Sequence, residues 1–114
     1  MRGALLLAVV VPGLLSCGGP GAAGPAKAAR TPVSHTVTIE AVAFTPASIT
    51  VKAGDSIVWV NKDPFPHTVT SKAGGFDSLS IQPDRSWTLT PSAPGELTYI
   101  CTLHPNMSGT IRVE

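Results

Sequence analysis

Near its C-terminus the sequence gathers a thiol, an imidazole and a thioether within seven residues, in Cys101-Thr102-Leu103-His104-Pro105-Asn106-Met107. A second imidazole, His67, stands 34 residues upstream in Pro66-His67-Thr68-Val69. Such a set can hold a metal ion, and its chemistry narrows which one. Thioethers have little affinity for zinc, which prefers thiolate, imidazole and carboxylate donors. Two imidazoles and a thiolate in a plane, with a weak axial thioether, suit copper: sulfur favours Cu(I), while imidazole also accommodates Cu(II). The expectation is one copper ion per chain on His67, Cys101, His104 and Met107, in a site that rearranges little between the two oxidation states.

Cysteine usage points the same way. Only Cys17 and Cys101 are present. Cys17 follows what reads as an export leader: Arg2, then the apolar run 4–15, far short of the about 20 residues a bilayer span needs. Leu14-Leu15-Ser16-Cys17 resembles a bacterial lipobox, whose cysteine carries lipid and begins the mature chain; Leu15 departs from the Ala, Ser, Val or Thr usual there. The alternative is an ordinary secretory signal cut a few residues later, with Cys17 lost. A lipidated Cys17 cannot pair with Cys101, which leaves a single thiol in an oxidising compartment, where an exposed free thiol is a liability. A metal ion would occupy it. These readings place the protein on the periplasmic or other extracytoplasmic side of a bacterial membrane, anchored by lipid.

The rest of the chain must position the four donors. Residues 1–16 are the leader, and 17–33 a lipidated cysteine followed by a tether of Gly, Pro and Ala with no repeating apolar face. Sixteen tether residues reach at most ~55 Å extended, and typically about 20–25 Å as a flexible coil. From residue 34 to 114 the pattern turns to short alternating runs: Val37 and Ile39, Ile49 and Val51, the continuous 57–60, then 68–70, Trp87 and Leu89, 97–101, and Ile111 with Val113. Turn signals such as Thr45-Pro46, Gly54-Asp55, Gly74-Gly75 and Pro94-Gly95 separate them. Runs of this length and spacing predict an all-β sandwich and leave no room for long helices. The run 57–60 reads as a strand buried on both sides. Charged residues are 13% of the chain and the formal net charge is +1. Without residues 1–16 the count is seven Lys/Arg against seven Asp/Glu, formally neutral. No basic stripe could follow a phosphate backbone, so nucleic acid is excluded as a partner. Recognition must rest on a local patch, because net charge gives little steering.

Residues 34–114 resemble the plastocyanin-like cupredoxins, the small blue copper proteins, and in the ligand loop the amicyanin branch. The resemblance rests on Phe44-Thr45-Pro46, the 54–61 run ending in Trp59-Val60-Asn61, Pro66-His67-Thr68-Val69, Phe76-Asp77-Ser78, and the stretch from Pro94-Gly95 through Cys101 and His104 to Met107, with two-residue gaps on both sides of His104. Leu97 stands where an aromatic is common, and Leu79 where Gly is frequent. The resemblance implies a Greek-key β-sandwich that passes single electrons to and from a transient redox protein, working as a monomer. It also implies that the Asn61 side chain ties the two ligand loops near Thr102, that a backbone N–H near Thr68 donates to the Cys101 sulfur, and that Phe65, Pro66, Leu103 and Pro105 form an apolar docking patch around His104. His35 alternates with Val37 and Ile39 and reads as a strand residue. A copper enzyme of this superfamily needs further histidine-built sites, and the chain has three His in all. The alternative function is a module for copper storage, delivery or sensing; the exposed Met- and His-rich tracts common in such carriers are absent from the sequence.

Overall fold

The computed structural model describes residues 30–114, together with Gly13. The rest of the leader, Cys17 and the tether up to residue 29 lie outside the described residues, and the compact unit runs over Thr31–Glu114. Its strands are β1 (Ser34–Glu40), β2 (Ala43–Thr45), β3 (Ser48–Val51), β4 (Ser56–Asn61), β5 (Thr70–Ser71), β6 (Ser86–Leu89), β7 (Gly95–Cys101) and β8 (His104–Val113), with no helix among the described residues. They form two four-stranded sheets, ordered β2-β1-β4-β6 and β3-β8-β7-β5. Only β1–β2 and β7–β8 are neighbours in both chain and sheet. The other links pass from one sheet to the other in Greek-key fashion, setting β1 beside β4 and β3 beside β8 in parallel.

Alternation decides which side chains meet between the sheets. Val37, Ile39, Ile57 and Trp59 face inward from the first sheet, and Val51, Tyr99, Ile111 and Val113 from the second. The run 57–60 departs from expectation: Ile57 and Trp59 are buried, but Val58 and Val60 only half so. β4 has β1 and β6 on its flanks, and Val58 and Val60 on its other face are not part of the buried core. Tyr99 fills the middle of the sandwich, edge-on to Phe44 at 4.7 Å and to Trp59 at 5.4 Å between ring centroids. Its partner across β7–β8 is Gly109, where any Cβ would run into the Tyr99 ring.

The two ends of the sandwich differ. β4 and β7 both run toward the end that carries His67 and Cys101, and β8 starts there with His104. β1 is parallel to β4, so the chain enters at the opposite end. There the Val33 carbonyl accepts from Ser56 N–H at 3.0 Å, and Val33 N–H donates to Asp55 at 2.9 Å.

Candidate metal centre

The C-terminal donors arrive on a hairpin. β7 ends at Cys101, and β8 begins at His104, paired with it across a bulge between Ile100 and Cys101. His67 lies in the segment after β4. It is not in a continuous strand; a single bridge joins it to Ile81, with His67 N–H donating at 3.1 Å and Ile81 N–H returning a bond at 2.7 Å. This stitching fixes the His67 backbone without a strand around it.

The fold brings His67, Cys101 and His104 together. Cys101 Sγ lies 3.6 Å from His67 Nδ1 and 3.8 Å from His104 Nδ1, and the three donor atoms all fall within 4.8 Å of one another. Cys101 is a free, fully buried thiol. His67 is buried and His104 half-buried, with ring centroids 4.9 Å apart. Met107 is buried in the core, three residues into β8 after His104.

The surroundings prepare these donors. Thr68 N–H donates to Cys101 Sγ at 3.3 Å, which fixes the sulfur's position. His67 Nε2 lies 2.7 Å from the Asp63 carboxylate. An ionised carboxylate only accepts, so Nε2 donates to Asp63 and the ring is held with its Nδ1 toward the sulfur. Asp63 is buried and also accepts from Ala41 N–H at 2.7 Å and Val42 N–H at 3.0 Å. Burial alone would push its carboxyl up; the bonds from Val42, His67 and Ala41, with the His67 charge, outweigh this and hold it below the ordinary carboxylate value. Ala41 and Val42 form the two-residue β1–β2 turn at φ 53° and 58°, a conformation that normally selects Asn and Gly. Asp63 holds the turn there.

One expected link is corrected. Asn61 does not reach toward Thr102: its amide donates to the Phe65 and Ile81 carbonyls at 2.9 Å each, and its oxygen accepts from Asp63 N–H at 2.9 Å. A fully buried amide with these partners is committed to shaping the His67 loop from within. The tie between loops is Thr68, whose hydroxyl accepts from Thr102 N–H at 2.9 Å and lies 3.1 Å from the Thr102 hydroxyl. The sequence reading missed Asp63; a carboxylate four residues before a donor histidine was the available signal.

Around the donors, Phe65 packs its ring 5.2 Å from His67 and 5.5 Å from His104. Phe65, Leu103 and Pro105 are exposed and Pro66 is half-buried. His35 lies at the other end of β1, its Nε2 2.9 Å from Asp55. The donor set fits copper: a buried sulfur with a hydrogen-bond donor aimed at it, and an imidazole whose ring is fixed with Nδ1 facing that sulfur.

Comparison with known proteins agrees with this chemistry. The family model described as a cupredoxin-like domain matches residues 6–113. An amicyanin from Paracoccus versutus is 33% identical over 96 residues, covering 79% of this chain and 73% of its own. The solved structure of a methionine-to-alanine variant of amicyanin in its Cu(I) state superposes with TM-score 0.68 at 27% identity, over 71% of this chain and 82% of its own. A copper-containing nitrite reductase from Thermus scotoductus also has TM-score 0.68 at 28% identity, over 75% of this chain but only 23% of the reductase.

Proposed function

The chain belongs to the cupredoxin-like family and is a type 1 copper electron-transfer protein that binds one copper; from that premise we propose that His67, Cys101 and His104 would hold the metal, with Met107 as a weak fourth donor. The observation that carries this ligand set is the convergence of three donor atoms within 4.8 Å on one buried sulfur. Bound there, copper supplies a one-electron Cu(II)/Cu(I) couple. Every other part of the work falls to the chain. Thr68 N–H fixes the position of the Cys101 sulfur, Asp63 fixes the His67 ring, and the hairpin from β7 to β8 keeps sulfur and His104 in register. Rigid donors limit the rearrangement that each transfer requires.

Electrons pass at the His104 edge. His104 is half-buried among Phe65, Pro66, Leu103 and Pro105, an apolar patch suited to brief docking of a redox protein partner. The reading as a monomeric carrier, not an enzyme, is supported by the histidine supply: the one His outside the pair at the site is His35, engaged with Asp55 at the opposite end. Export and lipid attachment at Cys17, ahead of a tether over 18–33, complete the reading; mass spectrometry of the mature N-terminus checks them, with an unmodified start past Cys17 as the refuting result.

Adding Cu(II) to the purified protein tests the site. The expected result is an intense blue, reversibly reducible form with a narrow copper hyperfine splitting in paramagnetic resonance, lost in Cys101→Ser. A colourless complex, or a blue one unaffected by that substitution, would refute the ligand set.

A further inference from the structure

Thr68 has a hydroxyl with one proton and two lone pairs, yet it meets three polar neighbours. Thr102 N–H donates to it at 2.9 Å, the Thr102 hydroxyl lies at 3.1 Å, and the Thr70 hydroxyl at 3.0 Å. The Thr102 amide can only donate. Of the two hydroxyl neighbours, one must therefore give a proton to Thr68 and the other receive one. Nothing within this trio decides which.

Asp77 decides it. The Thr70 hydroxyl lies 3.1 Å from Asp77 Oδ1, and a carboxylate only accepts, so Thr70 spends its single proton there. Thr70 must then accept from Thr68, and the Thr102 hydroxyl must donate into Thr68. The chain Thr102→Thr68→Thr70→Asp77 has one consistent direction. Asp77 is itself fixed, accepting Leu79 N–H at 2.8 Å on the same oxygen, in a segment bonded to the His67 stretch through Ser78 N–H to the Val69 carbonyl at 2.9 Å.

We propose that Asp77, an exposed carboxylate outside the donor set, is a positioning residue of the metal centre: through Thr70 it orients the Thr68 hydroxyl so that both polar groups of Thr102 donate into it, clamping the Cys101–His104 loop to the His67 loop. Without an acceptor at 77, two opposite proton arrangements become available, and the clamp fluctuates between them. The assignment rests on the proposed ligand set, but the clamp belongs to the polypeptide and is readable without metal.

The test is amide hydrogen exchange at Thr102, by nuclear magnetic resonance, in the metal-free and Cu(I)-loaded protein. Asp77→Ala and Thr70→Val should each speed exchange by about fivefold or more, while Asp77→Asn, which keeps an acceptor oxygen, should stay within about twofold of the parent. In the Cu(II) form, Asp77→Ala and Thr70→Val should displace the copper hyperfine splitting in the same direction, with Asp77→Asn again restoring it. The proposal is overturned if either Asp77→Ala or Thr70→Val leaves Thr102 exchange at the parent value, or if Asp77→Asn moves it as far as Asp77→Ala. A parent protein that takes up no copper would refute the ligand set, and exchange in the metal-free protein would still decide the clamp.

Discussion

The two ends of the sandwich carry the same hydrogen-bonding device. At one end Asp63 accepts Ala41 N–H, Val42 N–H and His67 Nε2–H; at the other Asp55 accepts Val33 N–H, Lys52 N–H and lies 2.9 Å from His35 Nε2. Both carboxylates are buried, and each gathers at least two backbone amides and one imidazole. The difference lies on the far side of each ring. His67 is sealed from solvent and presents Nδ1 to a thiol 3.6 Å away, whereas the His35 side chain is 28% exposed. A His–Asp pair is thus a staple by default. It becomes part of a metal centre only where the second nitrogen meets another donor in a dry place.

Substitutions at the two carboxylates should separate staple from site. Asp63→Ala and Asp55→Ala each strand several buried donors and should cost about 3 kcal/mol or more in chemical denaturation. Only Asp63→Ala should also alter the copper spectrum; an equal spectral change in Asp55→Ala would break the comparison. The histidines sharpen it. His67→Ala should abolish the blue band, while His35→Ala should leave it intact and cost about 1 kcal/mol.

Between the two ends, Tyr99 should couple them through overall stability. Burial pushes its phenol up to about 12, from 10.0 in water, with a Trp59 contact opposing slightly. The unfolded chain then ionises first. Stability from this group is intact below pH 10, falls as the pH rises from 10 toward 12, and has lost roughly 2–3 kcal/mol beyond. Tyr99 is the only tyrosine, so a phenolate absorbance titration beside alkaline denaturation checks this; a midpoint near 10 in the folded protein would contradict it. The smallest expected effect is at Leu79, exposed and held at φ 57°. Leu79→Gly should gain up to about 1 kcal/mol by relieving left-handed backbone strain, with unchanged colour.

The meeting of Cys101 and His104 was legible because they share one short stretch with Met107, where residue type alone suggests soft-metal chemistry. Alternation exposed β1, β3 and the buried half of β4 for the same local reason. Asp77 and the amide partners of Asp63 were not legible: the contacts with 41, 42 and 70 are set by sheet pairing and loop return, which leave no period in the chain, and only the place of Asp63 four residues before His67 could be read locally. Asn61 was singled out but given the wrong partners, since a buried amide suits any loop with spare carbonyls and only the fold reveals which loop is near. Leu79 stood out as a departure from a common Gly; its positive φ supplies the reason. The turn at Ala41-Val42 carries neither Asn nor Gly, and became intelligible only once Asp63 was found beneath it.

Because Val33 is pinned by Ser56 and Asp55 at the end remote from Cys101 and His104, a handle attached ahead of residue 31 grips the molecule by its foot. Proteins coupled to an electrode through such a handle would stand with the metal end outward, open to dissolved redox proteins and slow to exchange with the electrode beneath. Coupling through a cysteine introduced at Leu103 would invert that film and reverse the order of the two rates.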